Sequence, residues 1–160
     1  MKLAVAIVLL GFGLTTPTTA QSVQVVKFDT LQQLLNRPTD TTYVINFWAT
    51  WCKPCVSELQ HFEQLSQDVQ LQNVKVLLVS MDFAKDLVNR VQPFLLRKEI
   101  TVPVWLLDDT NYNSWIDRID DSWTGAIPAT LMINPLTRKK KFFEQEFTYE
   151  ALYDEVSEFD

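Results

Sequence analysis

The chain contains very little glycine, cysteine and histidine. Its 160 residues include three glycines, two cysteines and one histidine. Gly11 and Gly13 lie in an apolar N-terminal segment, so the rest of the chain has only Gly125. Phosphate-binding loops need several glycines, because their backbone must approach the phosphate groups closely. The scarcity of glycine therefore argues against a nucleotide-binding protein.

Positive charge is also scarce. The chain has 14 lysines and arginines against 20 acidic residues, a formal net charge of −6. Nucleic acids and anionic membranes attract basic surfaces, so we expect neither as a partner. The one basic run is Arg138–Lys141. We interpret it as charge that keeps an edge strand from pairing with other chains.

Residues 1–20 have the pattern of an export signal. Lys2 is followed by an apolar segment over residues 3–14 and then by small residues at 18–20 that suit a cleavage site. That segment is shorter than the roughly 20 apolar residues that span a bilayer. We therefore predict a signal peptide over 1–20, one domain over 21–160, and a periplasmic or other extracytoplasmic location. An uncleaved membrane anchor is the alternative.

The two cysteines, Cys52 and Cys55, are separated by two residues. They follow an apolar run at 43–48 and precede an amphipathic stretch at 56–69, which places them where a strand passes into a helix. This arrangement is typical of thiol–disulfide chemistry. A structural bridge across so short a loop would contribute at most about 2 kcal/mol. A peroxidase would need a peroxide-activating site around its cysteine, and none is apparent.

The position of the pair assigns a different role to each cysteine. Cys52 precedes the helix, where the positive end of the helix dipole favours a thiolate, and Lys53 adds positive charge. Pro54 suits the first helical turn, where its missing N–H costs nothing. Cys55 lies one turn further on and should be more buried. We therefore predict that Cys52 is the exposed attacking sulfur and that Cys55 resolves the mixed disulfide.

Glu58 is the candidate proton acceptor for Cys55. A helical wheel places it on the same face as Leu59 and Phe62, one turn from Cys55. A carboxylate buried there should have a raised pKa and could accept the Cys55 proton. The alternative is a Glu58 at the edge of the face that turns toward water. His61 points elsewhere, and one metal ion could not reach it and both cysteines without breaking the helix, so we predict no metal.

Apolar periodicity predicts alternating strands and helices. The predicted strands are 23–28, 42–49, 74–80, 102–107, 127–134 and 138–147. The predicted helices are 29–37, 52–70, 83–99, 111–119 and 148–159. The alternation indicates an α/β fold with a mixed sheet, parallel at its centre, with helices on both faces and an antiparallel hairpin at one edge. Asp29 is the expected N-cap of the first helix, and Pro93 is expected to bend or split the third.

Two segments resemble the thioredoxin-like superfamily, and within it proteins of the TlpA/ResA type. Asn46–Leu59 (NFWATWCKPCVSEL) resembles the active-site segment of these proteins, and Gly125–Thr130 resembles the loop that carries a cis-proline opposite the cysteines. The resemblance covers about residue 41 to the C-terminus. It implies a thioredoxin-like fold with an additional strand and helix inserted within 81–121.

The same resemblance implies several site residues. It implies a cis peptide bond between Ile127 and Pro128, and a substrate-docking surface formed by Trp51 and the backbone around Ile127. It matches Glu58 to a carboxylate near the second cysteine. Asn46 takes the place of the buried aspartate of cytoplasmic thioredoxins. Family members often have proline directly after Glu-Leu, and Gln60 stands there instead, so we expect a straighter helix.

These observations predict an exported thiol–disulfide oxidoreductase that works as a monomer without a cofactor. The resemblance implies that it acts as a reductant on disulfide-containing exported proteins, apocytochrome c among the candidates. It also implies a membrane thiol transporter as the electron donor. The alternative is a non-catalytic binding module or chaperone for exported proteins that uses the cis-proline surface, with a vestigial cysteine pair.

Overall fold

The computed structural model describes residues 22–159 except residues 69 and 72. The predicted signal peptide over 1–20 and Val69 of the predicted second helix lie outside the described residues. The strands are β1 (Gln24–Val26), β2 (Thr42–Trp48), β3 (Val74–Ser80), β4 (Val104–Leu107), β5 (Ala129–Ile133) and β6 (Lys140–Phe143). The α-helices are α1 (Phe28–Asn36), α2 (Lys53–Ser66), α3 (Gln92–Arg97), α4 (Ile116–Ile119) and α5 (Tyr149–Phe159).

The strands form one six-stranded sheet in the order β1-β4-β3-β2-β5-β6. The pairs β1–β4, β4–β3 and β3–β2 are parallel, whereas β5 is antiparallel to both β2 and β6. All seven residues of β2 are buried, as expected of a strand covered on both faces. The mixed sheet with a parallel centre and an antiparallel hairpin at one edge is therefore confirmed.

Alternate side chains of β2 supply the two hydrophobic cores. Val44 and Trp48 face the core that contains the buried faces of α2, α3 and α5. Ile45 and Phe47 face the other core, with α1, Trp115 and Ile119 of the α4 region. Helices thus cover both faces of the sheet. No helix in the described part of the chain is both long and apolar enough to cross a membrane.

Two predicted helix boundaries are wrong. The first helix begins at Phe28, so Lys27 rather than Asp29 is its N-cap, and no side chain caps it. The aromatic ring of Phe28 is buried, and Asp29 lies in the first turn, where its negative charge favours the helix N-terminus. The second helix ends at Ser66 instead of continuing to about residue 70, and the Gln67 N–H bonds back to Gln64 and Leu65.

The predicted helix over 83–99 is split, as Pro93 suggested. A 3₁₀ turn (Ala84–Asp86) and one π-helical turn (Leu87–Val91) precede α3. Pro93 lies in the first turn of α3, directly after the π-helical turn, so the change of helix type coincides with the proline. The predicted helix over 111–119 is likewise a 3₁₀ turn (Tyr112–Ser114) followed by the short α4.

The hairpin strands are shorter than predicted, and the basic run does more than guard an edge. β6 is an edge strand, as expected. Lys140 forms an ion pair with Asp120 at 2.8 Å, and Lys141 forms one with Glu155 at 2.8 Å. Lys139 donates to the carbonyl of Phe159. The lysines thus attach the hairpin to α5 and to the loop that follows α4.

Candidate active site

Cys52 and Cys55 form a disulfide at the N-terminus of α2, with the sulfur atoms 2.04 Å apart. Cys52 is the helix N-cap, and its Sγ lies 3.3 Å from the Cys55 N–H, which points at it. In the reduced protein this N–H would donate to a Cys52 thiolate, which stabilises that form. The geometry therefore fits the predicted difference between the two sulfurs.

The loop before β5 closes over Cys52. The Ile127–Pro128 peptide bond is cis, as the resemblance implied. The carbonyl oxygen of Ile127 lies 3.6 Å from Cys52 Sγ. Trp51 is 61% exposed beside the pair. The structure thus brings together the residues named from two distant segments.

Cys52 is much less exposed than predicted. It is 6% exposed and Cys55 is fully buried. The order of exposure is as predicted, but the description of Cys52 as an exposed sulfur is wrong, because the loop at Ile127 lies against it. Ile127 thus covers Cys52 on one side, and the exposed Trp51 directly precedes it in the chain.

Glu58, one helical turn after Cys55, is fully buried at the centre of a polar network. Its Oε1 accepts a hydrogen bond from Asn46 Nδ2 at 2.7 Å, and its Oε2 accepts one from the Phe147 N–H at 2.8 Å. Asn46 also donates to Thr130 Oγ1 at 3.2 Å, which links β2 to β5. The alternative in which Glu58 turns toward water is therefore wrong.

Burial sets the charge state of Glu58. It raises the pKa of this carboxyl from 4.5 to about 7, although the hydrogen bonds from Phe147 and Asn46 oppose the change. The negative charge of Glu146 raises the pKa a little further. Near neutral pH both protonation states of Glu58 are populated. Glu58 and Cys55 lie one turn apart on the buried face of α2.

Sequence reasoning missed Asp82, which holds the turn that leads to Cys52. Asp82 is buried two residues beyond β3. Its Oδ2 accepts from the Thr50 N–H and from the Ser80 hydroxyl, both at 2.9 Å, and its Oδ1 accepts from the Thr50 hydroxyl at 2.6 Å. The last backbone bond between the two segments joins the Met81 N–H to the Trp48 carbonyl. The carboxylate therefore takes over as hydrogen-bond acceptor where the ladder between β2 and β3 stops.

Asp82→Ala is expected to slow thiol exchange about 100-fold, since a displacement of about 1 Å at a reacting group can have that effect. It should also lower the free energy of unfolding by about 2–3 kcal/mol, because Thr50 donors lose a buried acceptor. Asp82→Asn keeps an acceptor and should lose much less of both. The exchange rate is measured with a model disulfide protein, and the free energy of unfolding by denaturant titration. The pH dependence of Cys52 alkylation in the reduced protein then shows whether the Cys52 thiol itself is affected. An alkylation profile that matches wild type in Asp82→Ala would limit Asp82 to a structural role.

Trp123 is a second residue of the site to which the sequence assigned no role. Its indole N–H donates to the Ala126 carbonyl at 2.8 Å, so it holds the chain just before Ile127 and Pro128. Its ring packs on Phe47 of β2 at a centroid distance of 4.6 Å and on Trp115 at 5.8 Å. The cis-proline loop is thereby fixed to the core of the sheet.

Comparisons with known proteins identify the family of the chain. Residues 18–138 match the model of the AhpC/TSA family. The thiol–disulfide oxidoreductase ResA of Geobacillus thermodenitrificans is 31% identical to the chain over 112 residues, which cover 68% of this chain and 57% of ResA. The chain thus spans little more than half the length of that curated relative. The resemblance to the TlpA/ResA type, drawn from the active-site segment, is confirmed.

Solved structures confirm the fold. A thioredoxin-family thiol:disulfide interchange protein from Chlorobium tepidum TLS superposes with a TM-score of 0.63 at 20% identity, covering 80% of this chain and 83% of that one. StoA from Bacillus subtilis superposes with a TM-score of 0.58 at 21% identity, covering 76% and 85%. At such identities the likeness concerns the fold alone, which is the predicted thioredoxin-like fold.

Proposed function

Because the chain belongs to the AhpC/TSA family of thioredoxin-like proteins, we propose that it is a thiol–disulfide oxidoreductase that exchanges dithiol and disulfide with protein substrates. The observation that carries the proposal is the Cys52–Cys55 disulfide at the start of α2, with Cys52 Sγ 3.6 Å from the carbonyl of Ile127 in the cis-proline loop. The printed name of the ResA relative, a thiol–disulfide oxidoreductase, supports the same activity.

The reaction proceeds through two exchanges. In the reduced protein the Cys52 thiolate attacks one sulfur of the substrate disulfide, and the other substrate sulfur leaves as a thiolate. Cys55 then loses its proton and attacks Cys52 Sγ, which forms the internal disulfide and releases the second substrate sulfur. Two electrons pass from the cysteine pair to the substrate. A dithiol donor must then reduce the pair again.

The surrounding residues have separate roles in these steps. The Cys55 N–H stabilises the Cys52 thiolate before attack. Glu58, with its pKa near 7, accepts the proton of Cys55 and later returns it to a leaving thiolate. Trp51 and the backbone at Ile127 hold the substrate against Cys52, with Pro128 fixing the loop. Thus Cys52, Cys55 and Glu58 do the chemistry, while Trp51, Ile127 and Pro128 bind.

We also propose a direction of electron flow and a cellular location for the protein. The protein acts as an exported reductant, in the periplasm or another extracytoplasmic space, after removal of residues 1–20. Its substrates are exported proteins with disulfides, apocytochrome c among them, and a membrane thiol transporter supplies its electrons. It works as a monomer. The sequence pattern of residues 1–20 and the family resemblance support these statements.

The reduction potential of the Cys52–Cys55 pair tests the direction. We expect a value closer to the roughly −270 mV of thioredoxin than to the roughly −120 mV of a strong oxidant. The measurement is equilibration of the protein with glutathione or dithiothreitol buffers, with the thiols counted by alkylation. A value near −120 mV would reverse the assignment to an oxidant while leaving the exchange activity in place.

Turnover of a model disulfide protein with dithiothreitol as electron source tests the activity itself. If the protein is an oxidoreductase, the wild type should reduce the model disulfide protein faster than dithiothreitol alone does. The alternative is a binding module that holds exported proteins on the cis-proline surface. Binding of such proteins without any acceleration by wild type would favour that module.

A further inference from the structure

An apolar pocket is lined in part by the residues that adjoin Cys52. It has a volume of about 180 Å³ and is lined by Trp51, Met81, Tyr112, Ile116, Trp123 and Ile127, together with Gly125. Trp51 directly precedes Cys52 in the chain. Ile127 provides the carbonyl that lies 3.6 Å from Cys52 Sγ. The pocket therefore shares two of its lining residues, Trp51 and Ile127, with the immediate surroundings of Cys52.

The lining determines what the pocket can hold. None of the residues that line it is charged. The indole N–H of Trp123 is already bonded to the Ala126 carbonyl, so this residue offers only its ring. Trp51 and Tyr112 can each offer one neutral polar group, but no side chain of opposite charge lines the pocket, so a charged occupant would lose its hydration without gaining an ion partner, which is costly. The pocket therefore favours an uncharged, apolar group.

The pocket depends on a glycine in its wall. Gly125 has a φ of +92°, a conformation that disfavours residues with a side chain. A Cβ placed there would lie 3.3 Å from Ile116 Cδ1, tighter than most such contacts. Glycine thus allows the cis-proline loop to approach α4 closely. The segment between β4 and β5 supplies Tyr112 and Ile116, so it forms one wall of the pocket.

We propose that this pocket selects substrates by binding one apolar or aromatic side chain that flanks the substrate cysteine. The inference rests on the proposed function, because the occupant must be joined to the sulfur that bonds with Cys52. A peptide bonded to Cys52 in a mixed disulfide would lie next to Ile127, because the Ile127 carbonyl is 3.6 Å from Cys52 Sγ. Ile127 also lines the pocket. The volume suits one such side chain, since a cavity of roughly 150 Å³ can hold benzene.

A series of disulfide peptides tests the proposal on the wild-type protein. The residue next to the reactive cysteine is varied between Phe, Leu, Ser, Asp and Lys, on each side in turn. We expect kcat/KM to be about tenfold higher for Phe or Leu than for Ser, the scale at which apolar pockets discriminate. Equal kcat/KM values across the series, with every peptide reduced, would overturn the inference and leave the proposed function intact. Failure to reduce any peptide, or hydroxyethyl disulfide, would instead reject the proposed function.

The variant Ile116→Asp locates the selection in the pocket. Residue 116 is the first of α4, where an acidic side chain suits the helix N-terminus. We expect the preference for Phe over Ser to fall to about twofold or less, and the Lys peptide to gain several-fold. Each value is divided by the rate with hydroxyethyl disulfide, which has no side chain to place in the pocket, so a general loss of activity cancels.

Leu136→Asp is the matched control, since Leu136 is an exposed apolar residue in the turn after β5, at the opposite end of the sheet from Cys52. It should keep the wild-type preference. A preference that persists in Ile116→Asp, or one that disappears in Leu136→Asp as well, would overturn the proposal. If Ile116→Asp does not fold by circular dichroism, Ile116→Thr takes its place with the same expected direction.

Discussion

Cys52→Ser is expected to abolish catalysed disulfide reduction, lowering kcat/KM by about 1,000-fold or more. A serine hydroxyl cannot form a mixed disulfide, so the first exchange has no route through residue 52. Cys55 cannot replace it because Cys55 is fully buried. The measurement is the rate of reduction of a model disulfide protein with dithiothreitol, corrected for the rate without enzyme. A variant that keeps a tenth of wild-type activity would exclude Cys52 as the attacking residue.

Cys55→Ser is the matched control, since it also removes the only disulfide that the described part of the chain contains. The two variants should lose similar stability, but they should fail at different steps. With Cys52 still present, Cys55→Ser should attack the substrate and stop at the mixed disulfide. Mass spectrometry under non-reducing conditions should detect a one-to-one covalent complex with Cys55→Ser and none with Cys52→Ser. A complex only with Cys52→Ser would reverse the two roles, and complexes with both variants would show that either cysteine can attack the substrate.

Much of this arrangement follows from local sequence. The continuous apolar run of β2 specifies a strand buried on both faces, and the Cys-Lys-Pro-Cys segment specifies where α2 begins. The 3.6-residue period of α2 places Glu58 on its buried face, and the structure has it there. The cis peptide bond between Ile127 and Pro128 does not follow from local sequence, because no local physical rule makes that bond cis. Only the likeness of the surrounding residues to a known loop predicted it.

The parts that sequence did not predict are contacts between distant segments. Asp82 is 32 residues from Thr50, and only the parallel pairing of β2 with β3 brings the two together. The low exposure of Cys52 has the same origin, because Ile127 approaches it from 75 residues away. One signal was available: polar groups at the carboxyl ends of central parallel strands collect at one edge of the sheet, where such folds place their sites. Ser80 ends β3 and Asp82 follows it at that edge.

Glu58→Gln is expected to stabilise the oxidised protein at alkaline pH. The pKa of Glu58 is about 7 in the folded protein and about 4.5 as the unperturbed value. Between these two values the unfolded chain has lost a proton that the folded protein keeps, so stability falls as pH rises from about 4.5 to about 7 and stays low above it. Glutamine removes this cost and can still accept the Phe147 N–H. We expect a gain of roughly 3 kcal/mol in the free energy of unfolding at pH 8 and almost none at pH 4.

Glu63→Gln is a control on the same helix, and its expected effect on the free energy of unfolding at pH 8 has the opposite sign. Burial acts to raise the pKa of Glu63, but hydrogen bonds from Thr101, Val102 and Gln67 outweigh it and lower the pKa. Its carboxylate thus contributes stability above the unfolded pKa that is lost as pH falls through the folded pKa. Glu63→Gln should therefore destabilise the protein at pH 8 and less at acid pH. Both variants are unfolded with denaturant at pH 4, 6 and 8. The comparison distinguishes the effect of removing the Glu58 carboxyl from any effect that glutamine has at either position. Destabilisation by both variants at pH 8 would contradict the raised pKa of Glu58.

The kinetic effect of Glu58→Gln decides whether the buried carboxyl takes part in the reaction. Glutamine cannot accept a proton, so Cys55 must lose its proton without help, and we expect its attack on Cys52 to slow about 100-fold. The step is isolated by preparing the mixed disulfide with a chromophoric thiol and following release of that thiol in stopped flow. In wild type the rate should rise with pH through a midpoint near 7, as Glu58 becomes available as a base. In Glu58→Gln the rate of thiol release should not show this rise with pH, whereas in Glu63→Gln it should. A stabilised Glu58→Gln with an unchanged pH–rate profile would make Glu58 a structural group and remove it from the catalytic set.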